Sequence, residues 1–121
     1  MFEPVIFREY DIRGVYKKQF DEDFAFLLGK AHVTFVEKTL GIKGPVLTIG
    51  YDARLSSPSL AEAVRNGMVA AGAQVLELGL VTTPISYYST FALAQVSGGI
   101  MITGSHNPPE YNGFKISVGK G

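Results

Sequence analysis

The sequence has no cysteine among its 121 residues. This absence excludes disulfide bonds, thiolate metal sites and cysteine nucleophiles, and it is typical of a reducing compartment. The amino terminus has neither a basic start nor a long apolar run, so we expect no signal peptide and no membrane-spanning helix. These absences make a cytoplasmic protein the default expectation.

An excess of charge of either sign is also missing, since 11 basic residues face 11 acidic ones. The chain therefore lacks the electrostatic footprint of a protein that binds nucleic acid or an anionic membrane, and we expect neither partner. Its length fits one ordinary domain with a hydrophobic core.

Charged residues are absent from Leu78 to Pro109, although they make up 18% of the chain. A stretch of that length without charge is either core or interface. The large apolar side chains within it cannot all point inward from one helix: Ile85, Tyr87, Tyr88, Phe91 and Leu93. We therefore expect part of this surface to meet another protein surface, and we expect the chain by itself to self-associate.

A long amphipathic helix is predicted over residues 22–40. Asp21 is a good N-cap and Gly41 a good C-terminal stop. Apolar residues follow helical spacing between them: Phe24, Leu27, Leu28, Ala31 and Phe35. His32 neighbours this stripe, and we interpret it as a packing histidine because no other ligand lies at metal spacing.

Strand and helix patterns then alternate. A strand over 45–50 precedes a helix that begins at Ser57-Pro58, a strand over 74–79 follows, and Thr83-Pro84 starts a third helix. This order predicts an α/β fold of three layers, α/β/α, around a mostly parallel, mixed sheet of about four strands with one antiparallel edge strand. Loops after Gly50 and Thr103 should lie at the carboxyl ends of strands, where such folds bind ligands.

Side chains that could take part in a reaction are most concentrated between Thr103 and Lys115. Ser105, His106 and Asn107 are consecutive, so a loop must present them, and Pro108 and Pro109 stiffen that loop. Apolar runs on both sides predict an antiparallel pair of strands, with Asn112-Gly113 as the turn. Lys115, expected as the second residue of the returning strand, then lies opposite Phe114 and Ile116, within reach of the loop.

A plain surface loop has the same composition of Ser, Asn, Pro and Gly, and this reading stays open on composition alone. A turn does not require a nucleophile-capable hydroxyl, a titratable ring and a nearby cation. Their presence together favours a functional site. The Gly-x-Ser-x-Gly elbow of hydrolases is excluded, because Asn107 stands where its second glycine is needed.

The segment from Thr103 to Lys115 resembles the active-site serine loop of the α-D-phosphohexomutases, in particular the bacterial phosphomannomutase/phosphoglucomutase group. The segment from Phe7 to Gly14 is similar to the family's opening Phe-Arg-x-Tyr-Asp-Ile-Arg-Gly. The resemblance implies that Ser105 carries the phosphoryl group exchanged between hexose 1-phosphate and hexose 6-phosphate through a bisphosphate intermediate.

The resemblance also implies roles for residues around the serine. Arg13 would be a cation near the phosphoryl group, with Tyr10 in support, and Lys115 would be the general acid/base candidate. His106 would contact substrate or assist proton transfer, and Asn107 would brace the loop. Without the family, residues 5–16 are interpreted as a solvated strand edge with a break at Gly14.

Asp52 and Arg54 have two interpretations. They form an ion pair that only braces their own loop, or, because Gly-x-Asp-x-Arg-x-Ser is similar to a family landmark, they buttress the serine loop. Both readings stay open.

A phosphoserine carries about −1.5 to −2 charge at pH 7, so positive charge beyond one lysine is required. The resemblance implies Mg²⁺, with a phosphoserine oxygen of Ser105 as one ligand and the remaining ligands outside this chain. It covers nearly all of residues 1–121 but only the first of the family's four domains, and we expect that domain to be truncated at its carboxyl end. The expected partners are mannose and glucose phosphates and the other three domains.

The isolated chain is then expected to be inactive. The alternative is a non-catalytic α/β module that binds phosphate or protein.

Overall fold

The computed structural model describes residues 7–8, 11–80, 96–104 and 110–118. One six-stranded sheet and two helices make up this part of the chain, which confirms the expected α/β class. The elements are, in chain order, β1 (Phe7–Arg8), β2 (Asp11–Val15), α1 (Glu22–Leu40), β3 (Val46–Tyr51), α2 (Ser57–Ala70), β4 (Gln74–Leu80), β5 (Val96–Ile102) and β6 (Tyr111–Val118). Neither described helix has the length and apolar character needed to span a membrane.

The sheet is mixed, as expected, and its order is β1-β2-β6-β5-β3-β4. Strands β5, β3 and β4 are parallel, whereas β6 is antiparallel to both β5 and β2. Strand β1 is also antiparallel to β2, so the described sheet is not mostly parallel as expected. The sheet is wider than the four strands expected, and β6 does not lie at an edge. Its interior position follows from Phe114, which is fully buried and pairs with Ile12 on one side and Ile102 on the other.

Both helices pack on one face of the sheet. The buried core joins β2, β3, β5 and β6 to the two helices, and the Phe114 ring lies 5.4 Å from the ring of Phe20 and 5.9 Å from that of Phe24. The third helix, expected from Thr83-Pro84, falls in residues 81–95, outside the described residues, as does the aromatic surface expected there.

Helix α1 begins and ends as predicted. The Asp21 carboxylate accepts a hydrogen bond of 3.0 Å from the Phe24 N–H, and Gly41 ends the helix with φ 67°. The buried face differs from the predicted stripe, because Leu27 is 60% and Phe35 47% exposed. The core face is instead formed by Phe24, Ala25, Gly29, His32, Val33 and Val36.

Two glycines explain this rotation of α1. A Cβ at Gly29 would lie 2.3 Å from the Val64 carbonyl oxygen, and a Cβ at Gly67 would lie 2.0 Å from the Phe26 carbonyl oxygen. The two helices therefore touch backbone to backbone, and α1 must present Gly29 to α2.

His32 is a packing histidine, as predicted. It is 3% exposed, and its Nε2 lies 3.0 Å from the Ser117 carbonyl oxygen. Since a carbonyl only accepts, Nε2 carries the proton and donates. Burial lowers the pKa of His32, and the hydrogen bond to Ser117 opposes that shift only in part. His32 thus joins α1 to β6.

Candidate active site

Strands β3 and β5 end side by side at one edge of the sheet. Because the two strands are parallel neighbours, Tyr51 pairs with Ile102, and the Asp52 N–H donates to the Ile102 carbonyl over 2.9 Å. This is the strand-end position that the sequence predicts for the loops after Gly50 and Thr103.

Asp52 is the centre of the polar contacts at this edge. Its Oδ1 accepts from Ser57 Oγ at 2.6 Å and from the Arg54 N–H at 3.1 Å. Its Oδ2 accepts from Arg54 Nε and from the Gly104 N–H, each at 3.1 Å. Burial raises the pKa of the Asp52 carboxyl, but these hydrogen bonds outweigh burial and hold that pKa below its ordinary value. Asp52 is therefore a carboxylate that acts only as an acceptor.

Arg54 contacts both Asp52 and the backbone of Gly104. A Cβ at Gly104 would lie 2.3 Å from Arg54 Nε and 2.5 Å from Cζ, so the guanidinium lies directly against this glycine. The two interpretations of Asp52 and Arg54 are thus compatible, because one ion pair braces its own loop and holds the residue that precedes Ser105.

The residues after the serine loop do not form the expected turn. Asn112 and Gly113 lie inside β6, and the turn falls at Glu110. Asn112 is fully buried, and its Nδ2 donates to Ser56 Oγ at 2.7 Å and to Ser57 Oγ at 3.0 Å. An Asn-Gly pair predicts a turn, but here a buried hydrogen-bond network uses the asparagine in an extended strand.

Gly113 is required by close packing between β6 and β2. A Cβ there would lie 2.1 Å from the Ile12 carbonyl oxygen and 3.0 Å from Arg13 Cγ, so the glycine makes room for the Arg13 side chain. Gly14, expected to break the first strand, continues β2 and pairs with Asn112. The Gly113 carbonyl accepts from the Thr103 N–H at 2.9 Å, which joins β5 to β6 beside the loop.

Arg13 and Lys115 share one face of the sheet. Arg13 pairs with Gly113, and Lys115 lies two residues farther along β6, paired with Met101 of β5. The alternation along β6 places Lys115 opposite Phe114, on the face away from α1 and α2. Lys115 is the fifth residue of β6, not the second as expected, because the strand begins at Tyr111.

Four residues with predicted roles lie outside the described residues: Tyr10, Ser105, His106 and Asn107. Their roles and their distances from Lys115 and Arg13 stay predictions. The structure does describe both ends of the loop that carries Ser105, His106 and Asn107, at Gly104 and at Glu110, whose carbonyl accepts from the Tyr16 N–H at 3.0 Å.

The described residues do not fit a metal site by themselves. Within ranges 11–80, 96–104 and 110–118 no three His, Asp or Glu side chains are grouped to hold an ion. The Asp52 carboxylate is already engaged by hydrogen bonds from Ser57, Arg54 and Gly104. The predicted ligand Ser105 lies outside the described residues.

A second polar cluster, which the sequence does not predict, surrounds Glu22. Its carboxylate accepts from Tyr16 Oη, from Ser59 Oγ at 2.7 Å and from Lys17 Nζ at 3.1 Å. Burial raises the pKa of Glu22, but hydrogen bonds from Tyr16, Ser59 and Lys17 lower it to about 2. The cluster fastens the start of α1 to the first turn of α2.

A cleft of ≈ 500 Å³ opens beside both clusters. Its lining includes Arg54 and Glu110, which flank the two ends of the serine loop, together with Tyr16, Ala53, Leu55, Ser56 and Ser59.

The fold and this edge define an α/β domain that presents a braced polar loop at the ends of its parallel strands. Residues 4–121 match the family described as phosphoglucomutase/phosphomannomutase, alpha/beta/alpha domain I. The chain belongs to this phosphoglucomutase/phosphomannomutase family.

Similar proteins agree with this assignment. A phosphoglucomutase from Neisseria gonorrhoeae is 43% identical over 116 residues, which are 94% of this chain and 24% of the relative. A phosphomannomutase/phosphoglucomutase from Pseudomonas putida is 46% identical over 113 residues, 93% of this chain and 24% of the relative. This chain therefore spans about a quarter of the length of the curated relatives it matches.

A crystal structure of a family protein from Burkholderia thailandensis aligns with a TM-score of 0.88 and 40% identity. The alignment covers 99% of this chain and 27% of that one. The three-layer class expected from the sequence is thus the class of the family.

Proposed function

We propose that residues 1–121 are the N-terminal catalytic-serine domain of a phosphohexomutase that interconverts the 1- and 6-phosphates of mannose and glucose. Ser105 is its phosphoryl carrier. The observation that carries this proposal is the anchoring of Gly104, the residue before Ser105, by the Asp52 carboxylate and the Arg54 guanidinium. Anchoring of the residue next to the proposed carrier suits a reaction that depends on positioning.

The chemistry assigned to these residues is two phosphoryl transfers. In the first, the Ser105 Oγ–P bond breaks, a bond from phosphorus to the free substrate hydroxyl forms, and the hydroxyl proton passes to a base. In the second, the other phosphate of the bisphosphate returns to Ser105 Oγ, and a proton is restored to the new product hydroxyl. Lys115 is the proposed acid/base, and His106 contacts the substrate.

Positive charge is the main requirement of such a transfer. Arg13 and Lys115 lie on the same face of neighbouring strands, where paired and diagonal side chains interact. Members of the family use a metal ion, and we propose Mg²⁺, whose hard charge would offset the phosphoserine oxygens. Ser105 is the one ligand proposed from this chain.

The rest of the mutase supplies what this domain does not. We propose that further domains hold the other metal ligands, select the sugar and bind the distal phosphate, in a cytoplasmic enzyme. The 121-residue chain alone is then expected to show no mutase turnover with Mg²⁺.

Phosphotransfer to Ser105 is the test. The protein that carries this chain is incubated with glucose 1,6-bisphosphate labelled in phosphorus, and the labelled peptide is identified by mass spectrometry. We expect the label on Ser105 and its loss in Ser105→Ala. Label confined to Ser56, Ser57 or Ser59 would overturn the assignment. Phosphate binding without any transfer would favour the non-catalytic module.

A further inference from the structure

The serine loop connects β5 to β6 in the sequence, between Gly104 and Glu110. Ile102 and Phe114 form the last pair of β5 with β6, and the Thr103 N–H to Gly113 carbonyl bond is the final backbone link. Besides this bond and the Tyr16 N–H bond to the Glu110 carbonyl, side chains connect the described ends of the loop to the rest of the domain.

One continuous chain of hydrogen bonds connects these ends. It starts at Asn112 on β6, passes through the Ser57 hydroxyl at the start of α2, and reaches the Asp52 carboxylate after β3. Asp52 in turn accepts from the Gly104 N–H on the other side of the loop. We name this series of hydrogen bonds, Asn112–Ser57–Asp52–Gly104, the loop relay.

The direction of every bond in the loop relay is determined by its members. Asp52 is ionised and accepts only, so the Ser57 hydroxyl must donate to it and has its lone pairs left to accept. The Asn112 amide fills that role, because its oxygen already accepts from the Gly113 N–H at 2.9 Å. Each hydrogen bond of the loop relay thus has only one possible direction.

Burial makes this arrangement firm. Ser57 and Asn112 are both fully buried, so water does not compete for their hydrogen bonds. Neither side chain belongs to the residues proposed above to contact the phosphoryl group. Their contacts instead link β6, α2 and the β3 loop to the residue before Ser105.

We propose that Ser57 and Asn112 are positioning residues, which act through Asp52 to set the placement of Ser105 for phosphoryl transfer. The inference rests on the proposed function, because it takes Ser105 as the carrier. Loss of a link would leave substrate binding in place and misalign the phosphoryl group with the acceptor hydroxyl. A misplacement on the order of 1 Å costs roughly a hundredfold in rate.

Ser56 provides a matched control. Its hydroxyl also accepts from Asn112 Nδ2, at 2.7 Å, but it has no bond to Asp52. Its side chain makes no capping bond to α2 either. Ser56→Ala and Ser57→Ala therefore each remove one partner of the same amide, and only Ser57→Ala interrupts the loop relay.

The experiment measures kcat, KM and Tm of the four variants Ser56→Ala, Ser57→Ala, Ser57→Thr and Asn112→Ala in the protein that carries this chain. Misalignment should lower kcat of Ser57→Ala and Asn112→Ala on the order of tenfold to a hundredfold, with KM within about twofold. Ser57→Thr, which keeps the hydroxyl, should recover most of kcat, and Ser56→Ala should behave as wild type. Equal kcat in Ser56→Ala and Ser57→Ala would overturn the proposal.

A second readout does not depend on mutase activity. Hydrogen exchange of the Gly104 N–H, resolved by electron-transfer fragmentation, should accelerate in Ser57→Ala and Asn112→Ala but not in Ser56→Ala. Unchanged exchange of the Gly104 N–H in all three variants would show that the loop relay does not hold Gly104 in place. If exchange of the Gly104 N–H is faster in the variants but Ser105 is never labelled, the proposed function is wrong and the coupling between the loop ends still holds.

Discussion

The Gly104 N–H donates to the Asp52 carboxylate over 3.1 Å, although the two residues are 52 positions apart in the chain. One hydrogen bond thus ties the residue before the proposed phosphoryl carrier to the loop after β3. Because the same carboxylate accepts from Ser57 and Arg54, its loss would free several donors at once. The placement of Gly104 therefore depends on the loop after β3 and on the first residue of α2.

Lys115 is expected to be essential for turnover and dispensable for folding. Lys115→Ala and Lys115→Met, in the protein that carries this chain, should lower kcat by about two orders of magnitude or more, as for a positioned acid/base or cationic group. Tm should change little, since Lys115 points away from the core formed with α1 and α2.

Lys43 is the control for this prediction, because it is exposed in the loop before β3. Lys43→Ala should keep wild-type turnover. Wild-type turnover in both Lys115 variants would show that Lys115 only solubilises the sheet.

Gly67→Ala is expected to destabilise the domain, although alanine favours helices by about 1 kcal/mol over glycine. The new Cβ would meet the Phe26 carbonyl at 2.0 Å, and backbone cannot move aside like a side chain. We expect a loss of about 1–3 kcal/mol in unfolding free energy, measured by urea denaturation. Glu62→Ala, on the exposed side of α2, should stay within about 0.5 kcal/mol of wild type, and a stabilised Gly67→Ala would contradict the helix crossing.

Stability should fall as the pH drops below the ordinary pKa of histidine. His32 is neutral in the folded state with its pKa lowered below 6.5, whereas the unfolded chain binds a proton there. His32 therefore makes its full contribution to the unfolding free energy above pH 6.5, and this contribution is lost as the pH falls through the lowered pKa of His32. Tm measured from pH 7.5 to 5 should decrease.

His32→Gln isolates this contribution, since glutamine does not titrate and retains an N–H donor. The His106 side chain is present in both proteins, so its titration cancels in the comparison. A Tm slope in His32→Gln as steep as in wild type would contradict the assignment. The carboxyls of Asp52 and Glu22, whose pKa values are lowered, affect stability only at more acidic pH.

The chain of 121 residues is expected to self-associate through β4. Among the described strands β4 has a neighbour on one side only, and Leu80 at its end is 64% exposed. An apolar residue on an open strand edge favours pairing with another chain. Sedimentation velocity should show oligomers that Leu80→Lys diminishes.

Leu55 is the control for Leu80, because it is also exposed but lies in the loop after β3. Leu55→Lys should leave the association unchanged. A wild-type chain that stays monomeric at high concentration would contradict the prediction.

Local signals predicted the two described helices and the parallel strands correctly. Asp21, Gly41 and the Ser57-Pro58 pair set helix ends through capping and backbone restriction, which depend on a few neighbouring residues. Short apolar runs likewise predicted β3 and β4. All of these signals depend on residues within a few positions of one another in the sequence.

Contacts between residues that are far apart in the sequence were not predictable in this way. Asn112-Gly113 has the composition of a turn, but a buried network with Ser56 and Ser57 and the close approach to Ile12 keep it extended. Helical periodicity placed Leu27 inside, whereas the contact of Gly29 with α2 turns Leu27 to solvent. The link of Ser57 to Asp52 leaves no signal in a single sequence beyond the two residue types.

The position of β6 dictates when this domain can fold during synthesis. Residues 111–118 are made last among the described strands, yet they lie between β2 and β5. A ribosome adds roughly 5–20 residues each second, so β2 waits for several seconds with β1 as its only described neighbour. During that interval Ile12 lacks its partner Phe114, and the two halves of the sheet remain separate. Until residues 111–118 emerge, the nascent chain therefore exposes the edges of β2 and β5 that β6 covers.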